Sequence, residues 1–348
     1  MGFNDRFLRA CRGEPVDCTP IWLMRQAGRY MSEYREIRAG HHFLEMCKTP
    51  ELACQVTLQP VDKLGVDAAI LFADILLPLE PMGIQISFGK DEGPVIHNPV
   101  RRRADVEVLR PIEPDSCGYV NEAVKMVRHE LEGRVPLIGF AGAPFTLASY
   151  VVEGGGTKLY RVCKTLMHDD PTTWHALMDK LADVIIVYLN AQIAAGAQAI
   201  QLFDSWVGNL SPQDYREYVQ PHSAKVFAHL DKSVPHIHFA NQAGAMIELV
   251  KQAGGDVIGL DWRIEIDTAI RRLRGGVAVQ GNLDPMVLFC RPEVIREQAR
   301  DILERVGGRT GHIFNLGHGI HKDTPVTHVQ ALVQAVHEIS AEILGRTQ

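Results

Sequence analysis

Short apolar stretches alternate with longer stretches of helical period along almost the whole chain. Eight stretches have strand length: PIWLM (20–24), AAILFAD (68–74), PLIGFAG (136–142), AIQLFDS (199–205), HIHFA (236–240), VIGLDW (257–262), VAVQGN (277–282) and HIFNLGHG (312–319). They are nearly unbroken apolar runs, the pattern of parallel strands covered on both faces. The clearest helical stretch starts near Pro171, behind Asp170, with Trp174, Leu177, Met178, Leu181, Val184, Ile185 and Tyr188 on one face. Another runs from Pro292 through Ile295, Ala299, Ile302 and Leu303 and stops at Gly307-Gly308. The last starts near Pro325 and carries Val329, Leu332, Val336 and Ile339. Eight strands in alternation with helices predict an α/β fold: one (β/α)8 TIM barrel, a single domain over residues 1–348. The stretch 83–100, GIQISFGKDEGPVIHNPV, alternates with period two around a glycine-containing turn. It predicts a hairpin inserted between the second and third barrel strands. A doubly wound open sheet competes, but the glycine-rich phosphate loop expected after its first strand is missing.

Composition narrows the function. The chain of 348 residues is 46% hydrophobic, enough for a sizeable core, and its net charge of −6 argues against nucleic acid or an anionic membrane as partner. No run of about 20 apolar residues is present to span a bilayer. The first residues, MGFNDRFLRACRG, are polar and carry neither the apolar core of a secretory signal nor a long import leader, so a cytoplasmic location is expected. The seven cysteines are odd in number and form no CxxC or CxxH pair, which suits reduced thiols.

In a barrel of this kind the chemistry lies at the C-terminal ends of the strands. Those ends lead to Arg25, Gln26 and Arg29; Asp74; Tyr150; Asp204 and Ser205; Asn241; Asp261; Asn282; and His318. Arg25 and Arg29 flank Gln26, Ala27 and Gly28, a poor helix cap. Two guanidinium forks on a flexible loop suit a ligand with several carboxylates, although surface arginines at a helix entry fit the same residues. Asp74 suits either a turn cap or a carboxylate in an apolar mouth that stabilises cationic charge. Tyr150 suits packing or ligand contact, and Asp204 with Ser205 suits a strand-end cap pair. His318, between two glycines, is read as ligand-facing. HIH (236–238) places two histidines on one strand face, but a metal site would need a third ligand, for which Asp261 is the candidate. The reading is that no metal binds and that His238 points into the barrel and bonds a neighbour. HH (41–42) lies in a polar connection, and RRR (101–103) reads as a solvated face.

Two long segments, PIWLMRQAGRYMSEYR (20–35) and GFAGAPFTLASYVVEGGG (139–156), resemble the signature segments of the uroporphyrinogen decarboxylase family. ILFADILLP (70–78), FDSWVG (203–208) and FNLGHGI (314–320) are similar to three more of its segments, in the same order, in the bacterial style. The resemblance implies a (β/α)8 barrel that works as a homodimer in the soluble compartment of porphyrin and heme synthesis, without metal or organic cofactor. The implied reaction removes the four acetate carboxyls of uroporphyrinogen III and leaves the methyls of coproporphyrinogen III. It implies Arg25 and Asp74 as catalytic residues. Arg25, Gln26, Ala27, Gly28, Arg29, Phe43, Asp74, Tyr150, Ser205 and His318 are the implied substrate contacts, with Arg25, Arg29 and His318 supplying positive charge to a small-molecule polyanion. The roles of Asp204, Asn241, Asp261 and Asn282, the dimer surface, the isomer preference, the order of decarboxylation and each proton donor stay open at this stage. Two other readings stand beside it. A zinc-dependent methyltransferase of similar fold would need cysteines at strand ends, and the comparable segment here reads HFAN. A non-catalytic tetrapyrrole carrier would need the cations but not a carboxylate aimed at the ring centre.

Overall fold

A computed structural model describes residues 3–89 and 93–347 of the chain. Its centre is a curled sheet of seven parallel strands: β1 (Ala69–Ile70), β4 (Leu137–Gly142), β5 (Ala199–Asp204), β6 (His236–Ala240), β7 (Val257–Gly259), β8 (Ala278–Gln280) and β9 (His312–Ile313), adjacent in that order. Every residue of β4 and β6 is buried, as the unbroken apolar runs require of strands with helices on one side and a packed interior on the other. The remaining two strands, β2 (Ile86–Phe88) and β3 (Pro94–Ile96), form an antiparallel pair between β1 and β4. They lie inside the predicted hairpin 83–100, whose turn falls outside the described residues.

The first expected strand, 20–24, is a single bridge rather than a ladder. Ile21 pairs in parallel with Phe314 beyond β9, and its carbonyl accepts from Asp67 N at 2.8 Å on the side of β1. Side chains take the places that a neighbouring strand would fill. Asp67 Oδ2 accepts from Ile21 N at 2.8 Å, Gln26 Oε1 from Leu23 N at 3.1 Å and Asn315 Oδ1 from Met24 N at 3.1 Å. Proline at position 20 has no N–H to give. Buried Asp67 also accepts from Asn4 Nδ2 (2.9 Å) and Arg6 Nη1 (2.8 Å) and lies 2.7 Å from His337 Nε2, so one carboxylate holds the Ile21 segment and the first and last described helices. Other strands are shorter than their apolar runs for a similar reason. Phe72 N, for example, turns to Thr57 Oγ1 at 2.9 Å instead of to a strand.

The helices follow their sequence signals closely. Pro171–Ala195 is capped by Asp170, whose carboxylate accepts from Thr173 N at 3.0 Å, and it ends at Gly196 with φ 118°. Pro292–Val306 ends at Gly307 with φ 67°, and the last helix spans Val326–Thr347. Among the described residues no helix is long and apolar enough to cross a membrane.

Register decides which side chains face the interior. Parallel partners lie on the same face, so Ile200↔His236 and Leu202↔His238 align one face, and Gln201↔Ile237 and Phe203↔Phe239 the other. The interior face carries Gln201, whose Oε1 accepts from Gln280 Nε2 at 2.9 Å, while Trp22 Nε1 donates to Gln280 Oε1 at 2.9 Å. The opposite face meets the helices. The expectation that His238 points into the barrel is therefore corrected. Its ring packs 4.9 Å from Phe227 in the helix layer, because Ile237 and Phe239 occupy the interior positions.

Candidate active site

The loop after Ile21 is built to present Arg25. Gln26 is fully buried; it takes Leu23 N on its oxygen and donates to Ala68 O at 3.0 Å. Tyr30 Oη donates to Gln26 O at 2.6 Å. The Gln26 N–H also donates to Leu23 O at 2.9 Å, so side chain and backbone of Gln26 together shape the loop. Ala27 and Gly28 are half-buried beside it, and a Cβ on Gly28 would lie 3.2 Å from Arg25 O. Arg25 itself takes φ 62°, a conformation that side chains other than glycine seldom adopt. Its side chain crosses Gly319, where a Cβ would come 2.5 Å from Arg25 Cδ.

Three predicted residues lie within the electrostatic reach of that guanidinium. Asp74 is partly open to the cleft, and its Oδ1 accepts from Leu76 N at 2.8 Å. Burial pushes its carboxyl from the usual 3.8 up to about 6, against the pull of the Leu76 N–H and Arg25, with Glu80 adding to the rise. Tyr150 stands on helix Pro144–Glu153, half-buried and edge-on to Trp206 at 6.2 Å. Burial and the Asp74 charge raise its hydroxyl, and Arg25 opposes them. His318 is pushed down to about 4 by burial first, then by Arg25 and Arg263, against the opposing Asp261. Burial, and after it the two guanidiniums, therefore favour the neutral imidazole of His318 near pH 7.

The other predicted residues border this group. Arg29 is exposed on the same loop, and its carbonyl accepts from Arg35 Nη1 at 3.2 Å. Among the described residues neither Arg25 nor Arg29 has a carboxylate within ion-pair distance. Phe43 packs at 6.0 Å from Phe72, two residues before Asp74, and at 5.2 Å from Phe88 of the hairpin. Ser205 is half-buried at the end of β5, and its N–H donates to Thr146 Oγ1 at 2.9 Å.

Residues left open by sequence now have places. Asp204, on the helix side of β5, accepts from Thr146 Oγ1 at 3.4 Å and lies 3.7 Å from His238 Nε2; burial raises its carboxyl. Asn241 Nδ2 donates to Ser205 O at 3.1 Å. Asp261 Oδ1 accepts from Arg263 N at 2.8 Å, and Asn282 Nδ2 donates to Asp261 O (2.9 Å) and Ile264 O (2.7 Å). Asn241, Asp261 and Asn282 thus brace the turns at the strand ends, whereas Asp204 joins β5 to the helix Pro144–Glu153. Asp261 therefore has its own partner, and His236 Nε2 lies 2.9 Å from Asp231 O; among the described residues no cluster of three metal-ligating side chains forms. Sequence reasoning missed Thr146, Trp206 and Arg263. The last had a legible signal, a guanidinium beside an aromatic ring at a strand end, in DWR.

A separate cavity of about 530 Å3 opens among Cys11, Lys232, Asp256 and Arg309, at the N-terminal ends of β6 to β9. It lies at the opposite end of the strands from Arg25 and Asp74, the end where enzymes of such folds do not build their active sites.

The chain matches the family model described as Uroporphyrinogen decarboxylase (URO-D) over residues 3–339. A protein of Carboxydothermus hydrogenoformans named uroporphyrinogen decarboxylase is 63% identical over 340 residues, covering 97% of each chain. A protein of the same name from Sorangium cellulosum is 60% identical over 339 residues, again covering 97% of each. Among solved structures, a methyltransferase from Methanosarcina mazei superposes with a TM-score of 0.81 at 21% identity, over 96% of this chain and 98% of that one. A B12-independent methionine synthase from Shewanella superposes with a TM-score of 0.56 at 14% identity, over 86% and 88%. Similarity at that level speaks for a shared fold alone. The match along nearly the full length, at such identity, means that this chain belongs to the uroporphyrinogen decarboxylase family.

Proposed function

We propose that this chain removes the four acetate carboxyls of uroporphyrinogen III, leaving methyls, and so yields coproporphyrinogen III. The observation that carries the reading is the position of Arg25. Its guanidinium has no carboxylate partner among the described residues, yet its charge reaches Asp74, Tyr150 and His318 together. An anionic substrate is what an unpaired guanidinium in a cleft of an acidic protein is suited to bind.

The chemistry needs an electron sink. Protonation of a pyrrole ring at the carbon next to nitrogen makes a ring cation. Loss of CO2 from the neighbouring acetate then sends the bond's electron pair into that cation. A second proton on the exocyclic carbon makes the methyl, and loss of the first restores the pyrrole, so one proton replaces each carboxyl. The substrate thus supplies its own sink, and no added cofactor is required. Asp74 would accept hydrogen bonds from the inward-pointing pyrrole N–H groups and stabilise the cation, a contribution of about 2.7–4 kcal/mol for one pre-set group. Arg25 would hold the reacting acetate; its proton is bound too tightly for a general acid. Arg29 and Ser205 would bind peripheral carboxylates, with Tyr150 as a neutral donor. Neutral His318 would offer one N–H, with Phe43 against the hairpin side of the macrocycle.

The architecture belongs to the same reading. A closed (β/α)8 barrel in one domain is supported by the Ile21 segment, which bonds toward Phe314 on one side and Asp67 on the other. The protein is read as a cytoplasmic homodimer. The test is incubation with anaerobically reduced uroporphyrinogen III without added cofactor, with a chelator in a parallel tube. Chromatography should show products with seven down to four carboxyls in both tubes. Unchanged substrate in both would reject the activity.

A further inference from the structure

The turn after β7 presents a guanidinium that the reaction scheme does not use. Arg263 Cζ lies 3.9 Å from the centroid of the Trp262 ring. Its backbone N–H is fixed on Asp261 Oδ1, and its Nη1 reaches the same oxygen at only 3.4 Å. The side chain keeps 46% of its surface exposed, whereas that of Asp261 keeps 2%. A guanidinium held over an indole ring keeps N–H groups for an incoming carboxylate, and the contact removes some of the freedom it would otherwise lose on binding.

The turn also faces the described site. Trp262 meets the His318 ring edge-on at 6.5 Å. A Cβ on Gly317 would lie 2.4 Å from Trp262 N, so the turn and the loop bearing His318 are in direct contact. Asn282 ties both ends of the turn, through Asp261 O and Ile264 O. The charge on Arg263 reaches His318, as that of Arg25 does from its own side. Two guanidiniums thus bear on His318, that of Arg25 and that of Arg263.

We propose that Arg263, stacked on Trp262 and steadied by Asp261, is a further carboxylate-binding residue that grips a propionate at the edge of the macrocycle. This rests on the decarboxylase reading above. Propionate, the longer side chain, is the group that reaches beyond the ring toward an outlying cation, and the reaction never consumes it. Arg263 then contributes to holding the eight-carboxylate substrate, every partly decarboxylated intermediate and the four-carboxylate product alike. Uniform binding of this kind appears in KM rather than in the chemical step.

The experiment compares wild type, Arg263→Gln and Arg263→Lys in uroporphyrinogen III turnover, with coproporphyrinogen III as a competing product. Arg263→Gln should raise KM about ten-fold, raise the inhibition constant of coproporphyrinogen by a similar factor and leave kcat within about two-fold. Arg263→Lys, which keeps the charge and loses the fork, should restore part of the affinity. A thermal melt separates unfolding from lost affinity. An unchanged KM in a folded Arg263→Gln protein would overturn the proposal. So would a raised KM with unchanged product inhibition, because the grip would then lie on an acetate. Wild-type protein that fails to turn over uroporphyrinogen would instead reject the underlying activity.

Discussion

Replacing Asp74 by Asn should make the protein nearly inactive and at the same time more stable. The amide oxygen can still accept from Leu76 N, so the turn keeps its bond. What disappears is the charge. Raising an aspartate carboxyl from 3.8 to about 6 corresponds to about 3 kcal/mol against ionisation in the folded protein. The carboxyl is partly open to the cleft, and solvent there trims this to about 1–3 kcal/mol. The folded-state value lies above the unfolded one, so the ionised form weakens the fold. The penalty grows as pH rises from about 4 to about 6 and is complete at pH 7. Asn removes it, and the melting temperature at pH 7 should rise by a few degrees. A ring cation formed beside the carboxylate would recover that energy in the transition state, together with direct attraction. Losing about 3 kcal/mol there lowers kcat by about a hundred-fold. Steady-state turnover of uroporphyrinogen and calorimetry at pH 5 and pH 7 measure both effects. Near-normal turnover would refute the catalytic assignment. A melting temperature that falls at pH 7 would refute the account of stored electrostatic strain.

The pH profile of kcat/KM should show an acidic limb near pH 6 as the Asp74 carboxyl is protonated, and Asp74→Asn should lose it; a limb that persists in the variant assigns it to another group. Arg29→Ala should raise KM about ten-fold with little change in the thermal melt, since Arg29 is exposed; a normal KM would remove it from the substrate clamp. Gly319→Ala places a methyl 2.5 Å from Arg25 Cδ and should displace that side chain, lowering kcat/KM at least ten-fold while stability changes by less than about 1 kcal/mol. Equal loss of activity and stability would show that Gly319 serves the fold instead.

Much of this architecture is legible in the chain, because burial on both faces leaves unbroken apolar runs and because Asp170 and Gly307 mark helix ends by local chemistry. The loop of Arg25 and Arg29 and the position of Asp74 after β1 are legible for the same reason: a polar group directly behind an apolar run is a strand-end group. Other features depend on distant partners. The segment 20–24 reads as a full strand, yet Asp67, Gln26 and Asn315 intercept its N–H groups with side chains from remote positions. HIH shows that two histidines share a face, but only the register against β5 decides that the face is the outer one. The lowered pKa of His318 comes first from burial and then from Arg25 and Arg263, which arrive from two other strand ends, and nothing in NLGHGI announces any of them.

Asp67 ties together segments that lie far apart in sequence: the first described helix, the root of the Arg25 loop at Ile21 and His337 of the final helix. Local opening at either terminal helix should therefore loosen the guanidinium loop before the central strands. Amide hydrogens around residues 20–26 should exchange in step with those of the two terminal helices, as one cooperative unit. Damage far from the cleft, at Arg6 or His337, would then be felt as a poorly held substrate rather than as a collapsed core.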